Sequence, residues 1–158
     1  MTAAPHIYVD ADACPVKAET VKVAERHGLP VVFVANAWFA VPRAPRVRVQ
    51  VVSGSFDAAD DWIVAQVGTG DIVVTADVPL AGRCLRAGAR VIGPSGRPFT
   101  DANIGQAVAT RDLLADLRGA GEMTRGPAPI VARDRSRFLQ KLDEAVQAVR
   151  RGGVGSML

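Results

Sequence analysis

Hydrophobic positions along the chain follow two rhythms, continuous short runs and helical spacing, and their order predicts the elements. Ile7-Tyr8-Val9 is a short β-branched and aromatic run, read as a buried strand. Pro15 has a φ suited to a first helical turn, and Val16, Val21, Val23 and Ala24 then share a helical face. Gly28 supplies the stop, and Leu29 to Ala35 is a second apolar strand, buried on both faces as parallel strands are. After a loop from Ala37 to Pro45, Arg46 to Val52 alternates charged or polar with apolar residues, the pattern of an edge strand with one wet face. A helix with its body at Ala58 to Val67 starts at Asp57, and Asp71 to Thr75 forms a third buried strand. Pro79 to Ala87 is helical and closed by Gly88, Ala89 to Ile92 is a short strand, and the run from Gly93 to Pro98 is rich in turn residues. Thr100, with Asn103 three residues on, caps a helix to about Arg118; Asp134 or Ser136 caps a last one carrying Phe138, Leu139, Leu142, Ala145, Val146 and Val149 at helical spacing.

The order β-α-β-β-α-β-α-β-α-α predicts an α/β fold, a three-layer α/β/α sandwich around a mainly parallel sheet. The last two helices either pack on the sheet or form a lobe beside it. One domain is expected over residues 1–151, with a flexible tail over 152–158 after a glycine stop at Gly152. With 158 residues, 49% of them hydrophobic, the chain can bury a core without disulfides or metal staples. Its net charge of +3 is carried almost wholly by arginine, the lysines being Lys17, Lys22 and Lys141, which permits an anionic partner without demanding one. Cys14 and Cys84 are too few and too far apart for a zinc site or disulfide framework, and both read as buried structural thiols in a reducing compartment. No apolar run reaches membrane-spanning length, so the expected location is the cytoplasm, with no membrane partner.

Aspartates change this picture, because three strand-end turns carry them: Asp10 and Asp12 after the first strand, Asp57, Asp60 and Asp61 after the third, and Asp77 after the fourth. In a parallel sheet these turns open on one rim, where ligands usually bind. Oxygen-only donors suit Mg²⁺ or Mn²⁺, and a metal held by carboxylates can activate water and stabilise the charge developing on a phosphodiester. That chemistry is a nuclease's. Each turn also has a plainer reading: Asp57 and Asp77 as helix caps, Asp61 as an acid favoured by the helix dipole. Asp10 resists such a reading, since a carboxylate ending a buried strand needs a partner.

Val9-Asp10-Ala11-Asp12-Ala13-Cys14-Pro15, Phe56-Asp57-Ala58-Ala59-Asp60, Thr75-Ala76-Asp77-Val78-Pro79-Leu80-Ala81 and Arg111-Asp112-Leu113-Leu114 with Gly126-Pro127 resemble the YaiI/YqxD family of bacterial proteins, from about Ile7 to Arg150. That family's fold looks like the PIN domain of Mg²⁺- or Mn²⁺-dependent ribonucleases. The resemblance implies a PIN-like sheet and a metal-dependent nuclease, most simply a ribonuclease, with Asp10, Asp12, Asp60 and Asp77 as metal ligands and catalytic acids. Asn36, Asp57, Asp61 and Thr75 would support them. Two departures from the PIN pattern stand out: the helix acid, often glutamate, is the shorter Asp60, and a further acid after the Thr-x-Asp turn has no counterpart unless Asp12 replaces its charge.

Other readings stay open. Asp10-Ala11-Asp12 after an apolar strand also resembles the opening motif of haloacid-dehalogenase phosphatases, but after Thr75 the only lysine is Lys141, in the last helix. A non-catalytic module binding nucleic acid or protein is a third class. Arg133, Arg135 and Arg137, beside a Gly-Pro loop, are the better candidates for RNA contact, whereas Arg43, Arg46 and Arg48 read first as solvated surface charge. Trp38 and Phe39 could stack a base, plug the core or line a homo-oligomer interface.

Overall fold

The structure, a computed structural model, describes residues 5–12, 14–54, 57–105 and 130–155. β1 (Ile7–Asp10) leads through α1 (Lys17–His27) to β2 (Val31–Ala35), and β3 (Val47–Val51) follows without an intervening helix. α2 (Ala58–Gln66), β4 (Ile72–Val74), α3 (Val78–Arg86) and β5 (Arg90–Ile92) continue the alternation. A two-residue β6 (Pro98–Phe99) and a long α4 (Ala132–Gly155) complete the labelled elements. The sheet order is β3-β2-β1-β4-β5-β6, parallel throughout except for β6, which pairs antiparallel with β5. From β1 the chain winds first outward to β2 and β3, then back past β1 to β4 and β5. The carboxyl ends of β1 and β4 therefore flank the point where the winding reverses, the usual ligand crevice of such sheets.

Strand alternation divides the core in two. Ile7 and Val9 of β1, with Val31 and Phe33 of β2, pack beneath α1 and α4, whose Val21, Val23, Phe138, Leu142 and Val146 are buried with them. Tyr8 points the other way, with Val32, Val34 and Val73, against Ala59 and Ile63 of α2 and Leu80, Ala81 and Cys84 of α3. The three expected layers are present. β3 lies at the edge with alternating exposure, as its Arg-Val pattern requires.

The structure differs from the sequence reading at two places. The run from Gly93 holds a tight turn at Gly96 (φ +90°), which returns the chain as β6, a strand too short for any periodicity to announce. A Cβ at Gly96 would stand 2.9 Å from the Arg137 carbonyl carbon, so the turn presses on the start of α4. α4 begins at Ala132, ahead of both expected caps, and places Asp134 in its first turn, where the helix dipole favours an acid. Its bounds also reach Gly155, beyond the Gly152 stop. Thr100 and Asn103 do form the reciprocal cap, with backbone N–H groups donating across at 2.8 and 3.2 Å. Helix follows over 101–105; the remainder of that expected helix, with Arg111-Asp112-Leu113-Leu114 and Gly126-Pro127, lies outside the described residues, as does Phe56.

α4 is tied to α1 at both ends. Arg135 donates to the Pro15 carbonyl oxygen (2.7 Å) and pairs with Glu19 (3.1 Å). Toward the other end, Asp143 meets His27 (2.6 Å) and Arg26 (3.1 Å), and Arg150 donates to the His27 carbonyl.

Candidate functional site

Asp10 is the last residue of β1 and, by alternation, shares the Tyr8 face, toward α2 and α3. Its Oδ2 accepts the Thr75 hydroxyl at 2.9 Å. Thr75, buried at the end of β4, also accepts from the Asp77 backbone N–H at 3.0 Å. Asp77 in turn caps α3, its Oδ1 accepting from the Leu80 N–H at 3.0 Å, one position before the Val78-Pro79 start. The Thr-x-Asp turn thus holds the first-strand carboxylate and starts the next helix through one hydroxyl.

Asp60 sits half-buried in the first turn of α2, and among the described residues it has no hydrogen bond or ion pair. Its carboxyl is pushed up to about 6, first by burial and then by the charges of Asp77, Asp10 and Asp57, while Arg83 pulls it down. Asp10 is also raised: burial leads, the Thr75 bond opposes, and the charges of Asp77 and Asp12 add to the rise. Beneath them the Cys84 thiol is pushed up to about 12 by burial, with Asp60 and Asp10 adding to it and Arg83 opposing. Asp10, Asp60 and Asp77, drawn from three different connections, therefore form one pool of like charge at the winding reversal.

The remaining expected site residues fall around this pool or outside it. Asp12 is exposed and accepts from the Asn36 backbone N–H at 3.2 Å, which ties the β1 turn to the end of β2; Asn36 contributes its backbone and leaves its side chain in solvent. Asp57 occupies the cap position of α2 but makes no capping bond. Asp61 points to solvent and pairs with Arg83 at 2.9 Å, so its role is a surface one. Arg135 is committed to Pro15 and Glu19, and Arg137 stands 4.0 Å from Asp134; of that trio Arg133 alone is exposed without a partner among the described residues. Lys141, the lysine a phosphatase reading would need, pairs with Glu144 at 3.7 Å on α4. Among the described residues, no three His, Cys, Asp or Glu side chains are gathered closely enough to hold one metal ion. Cys14 and Cys84 are free and buried, and burial raises the Cys14 thiol, the behaviour of structural thiols.

A family model described as "Uncharacterized BCR, YaiI/YqxD family" matches residues 8–148, which span every turn of this rim. The chain belongs to the YaiI/YqxD family. A UPF0178 protein of Rhodopseudomonas palustris (strain BisB5) is 56% identical over 145 residues, covering 92% of this chain and 88% of its own. One from Brucella ovis is 58% identical over 148 residues (93% and 92%), and one from Rhodospirillum centenum 58% over 150 (92% and 97%). No solved structure matches. Among the described residues, no helix of this YaiI/YqxD chain is long and apolar enough to cross a membrane.

Two predictions follow from the hydrogen bonds and the charge pool. Thr75→Val removes the one described donor to Asp10 and leaves the Asp77 N–H without its acceptor; a loss of about 1–3 kcal/mol is expected at pH 7. The loss should shrink on acidification, as the raised Asp10 carboxyl gains its proton, and denaturant melts over a pH series measure it. For Asp60, a folded value of about 6 against an ordinary value of 3.8 means that folding takes up a proton. Its contribution is present below the unfolded value and lost as pH rises through the folded one, so metal-free stability declines from pH 4 to pH 7. Unscreened, that shift is worth about 3 kcal/mol; solvent around a half-exposed carboxyl reduces it to about 1 kcal/mol. Asp60→Asn should flatten this slope and melt higher than the parent at pH 7.5 in chelator.

Proposed function

We propose that this YaiI/YqxD protein is a divalent-metal-dependent hydrolase of phosphodiesters, a nuclease, working at the acidic crevice between the carboxyl ends of β1 and β4. The observation that carries the reading is the shared charge of Asp10, Asp60 and Asp77, converging from three chain segments. Three ionised carboxylates so placed repel one another unless a cation joins them. Arg83, whose guanidinium charge reaches Asp60, makes its ion pair with Asp61 at the surface instead.

The donor set fits Mg²⁺ or Mn²⁺, hard ions that take carboxylate oxygen. The wide spacing of the acids also fits Mg²⁺, which keeps several waters and needs only one or two carboxylates beside a substrate phosphate. Asp10 and Asp77 would hold it, with Asp60 and Asp12 near enough to add charge; when bound, such an ion neutralises the phosphodiester and lowers the pKa of water. Thr75 fixes the Asp10 carboxylate and, through the Asp77 N–H, the start of α3, so both ligand candidates are positioned before any ligand arrives.

A second reading, a binding module without catalysis, draws support from the absence of a gathered ligand triad among the described residues. Titration with Mn²⁺ separates the two. At ten times its dissociation constant the ion should stabilise the fold by about 1.4 kcal/mol, a rise in Tm of roughly 2–6 °C. Mn²⁺-dependent cleavage of bis(p-nitrophenyl) phosphate or an oligonucleotide should accompany the shift. Neither shift nor cleavage would leave the module.

A further inference from the structure

Between Glu25 and Asp57 the sequence holds no acidic residue, yet it carries Arg26, Arg43, Arg46 and Arg48. The structure puts the last three on the β2–β3 loop and the edge strand β3, all exposed. None has an acidic partner among the described residues: Arg48 meets Gln50, at 3.3 Å, and lies near Tyr8, and Arg43 and Arg46 make no ion pair or side-chain hydrogen bond there. This differs from Arg135 and Arg137 on α4, which face Glu19 and Asp134.

An aromatic side chain stands on the same loop. Trp38 is 71% exposed, the most exposed of the large hydrophobic side chains described. Its neighbour Phe39 anchors the loop, edge-on to Phe33 with 6.0 Å between ring centres and covered by the Lys17 ammonium at 5.1 Å. Trp38 therefore projects from a fixed backbone, over an open groove of about 660 Å³ that it lines with Val41, Pro42, Arg43, Pro45 and Val47. It is two residues beyond Asn36, whose N–H holds Asp12, so its Cα lies within about 7 Å of Asn36. An exposed indole sharing a groove with the Arg43 guanidinium suits stacking on a flat base with arginine on the backbone.

We infer that the groove of Trp38 and Arg43, continued by Arg46 at the start of β3, is a track for single-stranded nucleic acid, with a base stacked on Trp38 and phosphates on the two arginines, leading over the β2 rim toward Asp10 and Asp12. It deepens the hydrolase reading by naming its substrate class, and rests on that reading only for the fate of the bound strand. Single strands suit the face because every base has a flat surface to stack, whereas in a duplex those surfaces are occupied by neighbours.

Fluorescence anisotropy with labelled 12-nucleotide RNA and DNA single strands, and the matching duplex, tests it in chelator, so that cleavage plays no part. The full-length parent should bind single strands and prefer them to duplex; the RNA and DNA arms tell which sugar is favoured. Trp38→Ala should bind about tenfold more weakly, Trp38→Phe should recover most of the loss, and neither should shift Tm. Arg43→Gln with Arg46→Gln should lower the slope of log affinity against log salt by about 1.4, at 0.7 per phosphate contact. No binding by the parent, equal binding by Trp38→Ala, or self-association that buries Trp38 would overturn the track. Binding without any metal-dependent cleavage would leave the track standing and remove the hydrolase reading. Cleavage of bis(p-nitrophenyl) phosphate without strand binding would do the opposite.

Discussion

Asp10→Asn is expected to cut phosphodiester cleavage at least about a hundredfold and to erase the Mn²⁺-dependent rise in melting temperature. The substitution keeps the volume of the side chain and an oxygen that can still accept the Thr75 hydroxyl, so the geometry at the end of β1 survives. What disappears is the charge. Asp10 is the acid most tightly built into the crevice, fixed at one oxygen and raised by burial and by Asp77 and Asp12. Because its folded pKa is raised, its ionised form destabilises the metal-free fold once the pH exceeds that value. The variant should therefore melt no lower than the parent at pH 7.5 in chelator. Loss of cleavage with intact metal-free stability separates a functional carboxylate from a structural one; a parent-like rate would show that the reaction takes place elsewhere. Asp61→Asn supplies the contrast, since an exposed pair with Arg83 should change stability by less than about 1 kcal/mol.

Phe138→Ala should have the largest effect on the fold. Phe138 is fully buried where α4 meets α1 and the sheet, in the cluster of Val9, Phe33 and Leu142. Truncating a phenylalanine there costs about 3–5 kcal/mol, a large share of the 5–15 kcal/mol that holds a domain together. Thermal melting should fall by roughly 10 °C or more, and proteolysis should reach α4 first, since its contacts to Pro15, Glu19 and His27 are thin once the ring is gone. Phe138→Leu, which keeps most of the volume, should lose far less.

Much of the sheet was legible because its strands are simple. Ile7-Tyr8-Val9, Val31 to Ala35 and Ile72 to Val74 are short apolar runs bounded by turn residues, and the Arg-Val alternation placed β3 at the edge. Boundaries failed where the deciding contact is remote. α4 starts at Ala132, and its first turns are held by Arg135 to Pro15 and Glu19, some 116 to 120 positions away, contacts that no local cap encodes. β6 exists because Gly96 turns the chain back beside β5. At the rim, Asp10 and Asp77 could be found from strand-end position, whereas Asp60 is set apart from Asp61 only by the family resemblance. The fold gives the physical difference, turning Asp61 to Arg83 and Asp60 to the charge pool. The arginines show the same limit: whether a guanidinium is free depends on which acid the fold brings to it. The thread from Trp38 to Asn36 to Asp12 likewise crosses two strands, and no spacing rule contains it.

The docking of α4 on β1 also bears on how the chain leaves the ribosome. β1 is a central strand, and one of its faces is covered by Phe138, Leu142 and Val146, which are synthesised about 130 residues after it. At ordinary elongation rates roughly 6 to 25 s separate the emergence of the two partners. Throughout that interval the nascent protein carries an apolar surface with nothing to close it. Chains truncated before Ala132 should therefore aggregate more readily than the parent, the expected consequence of closing a central strand so late.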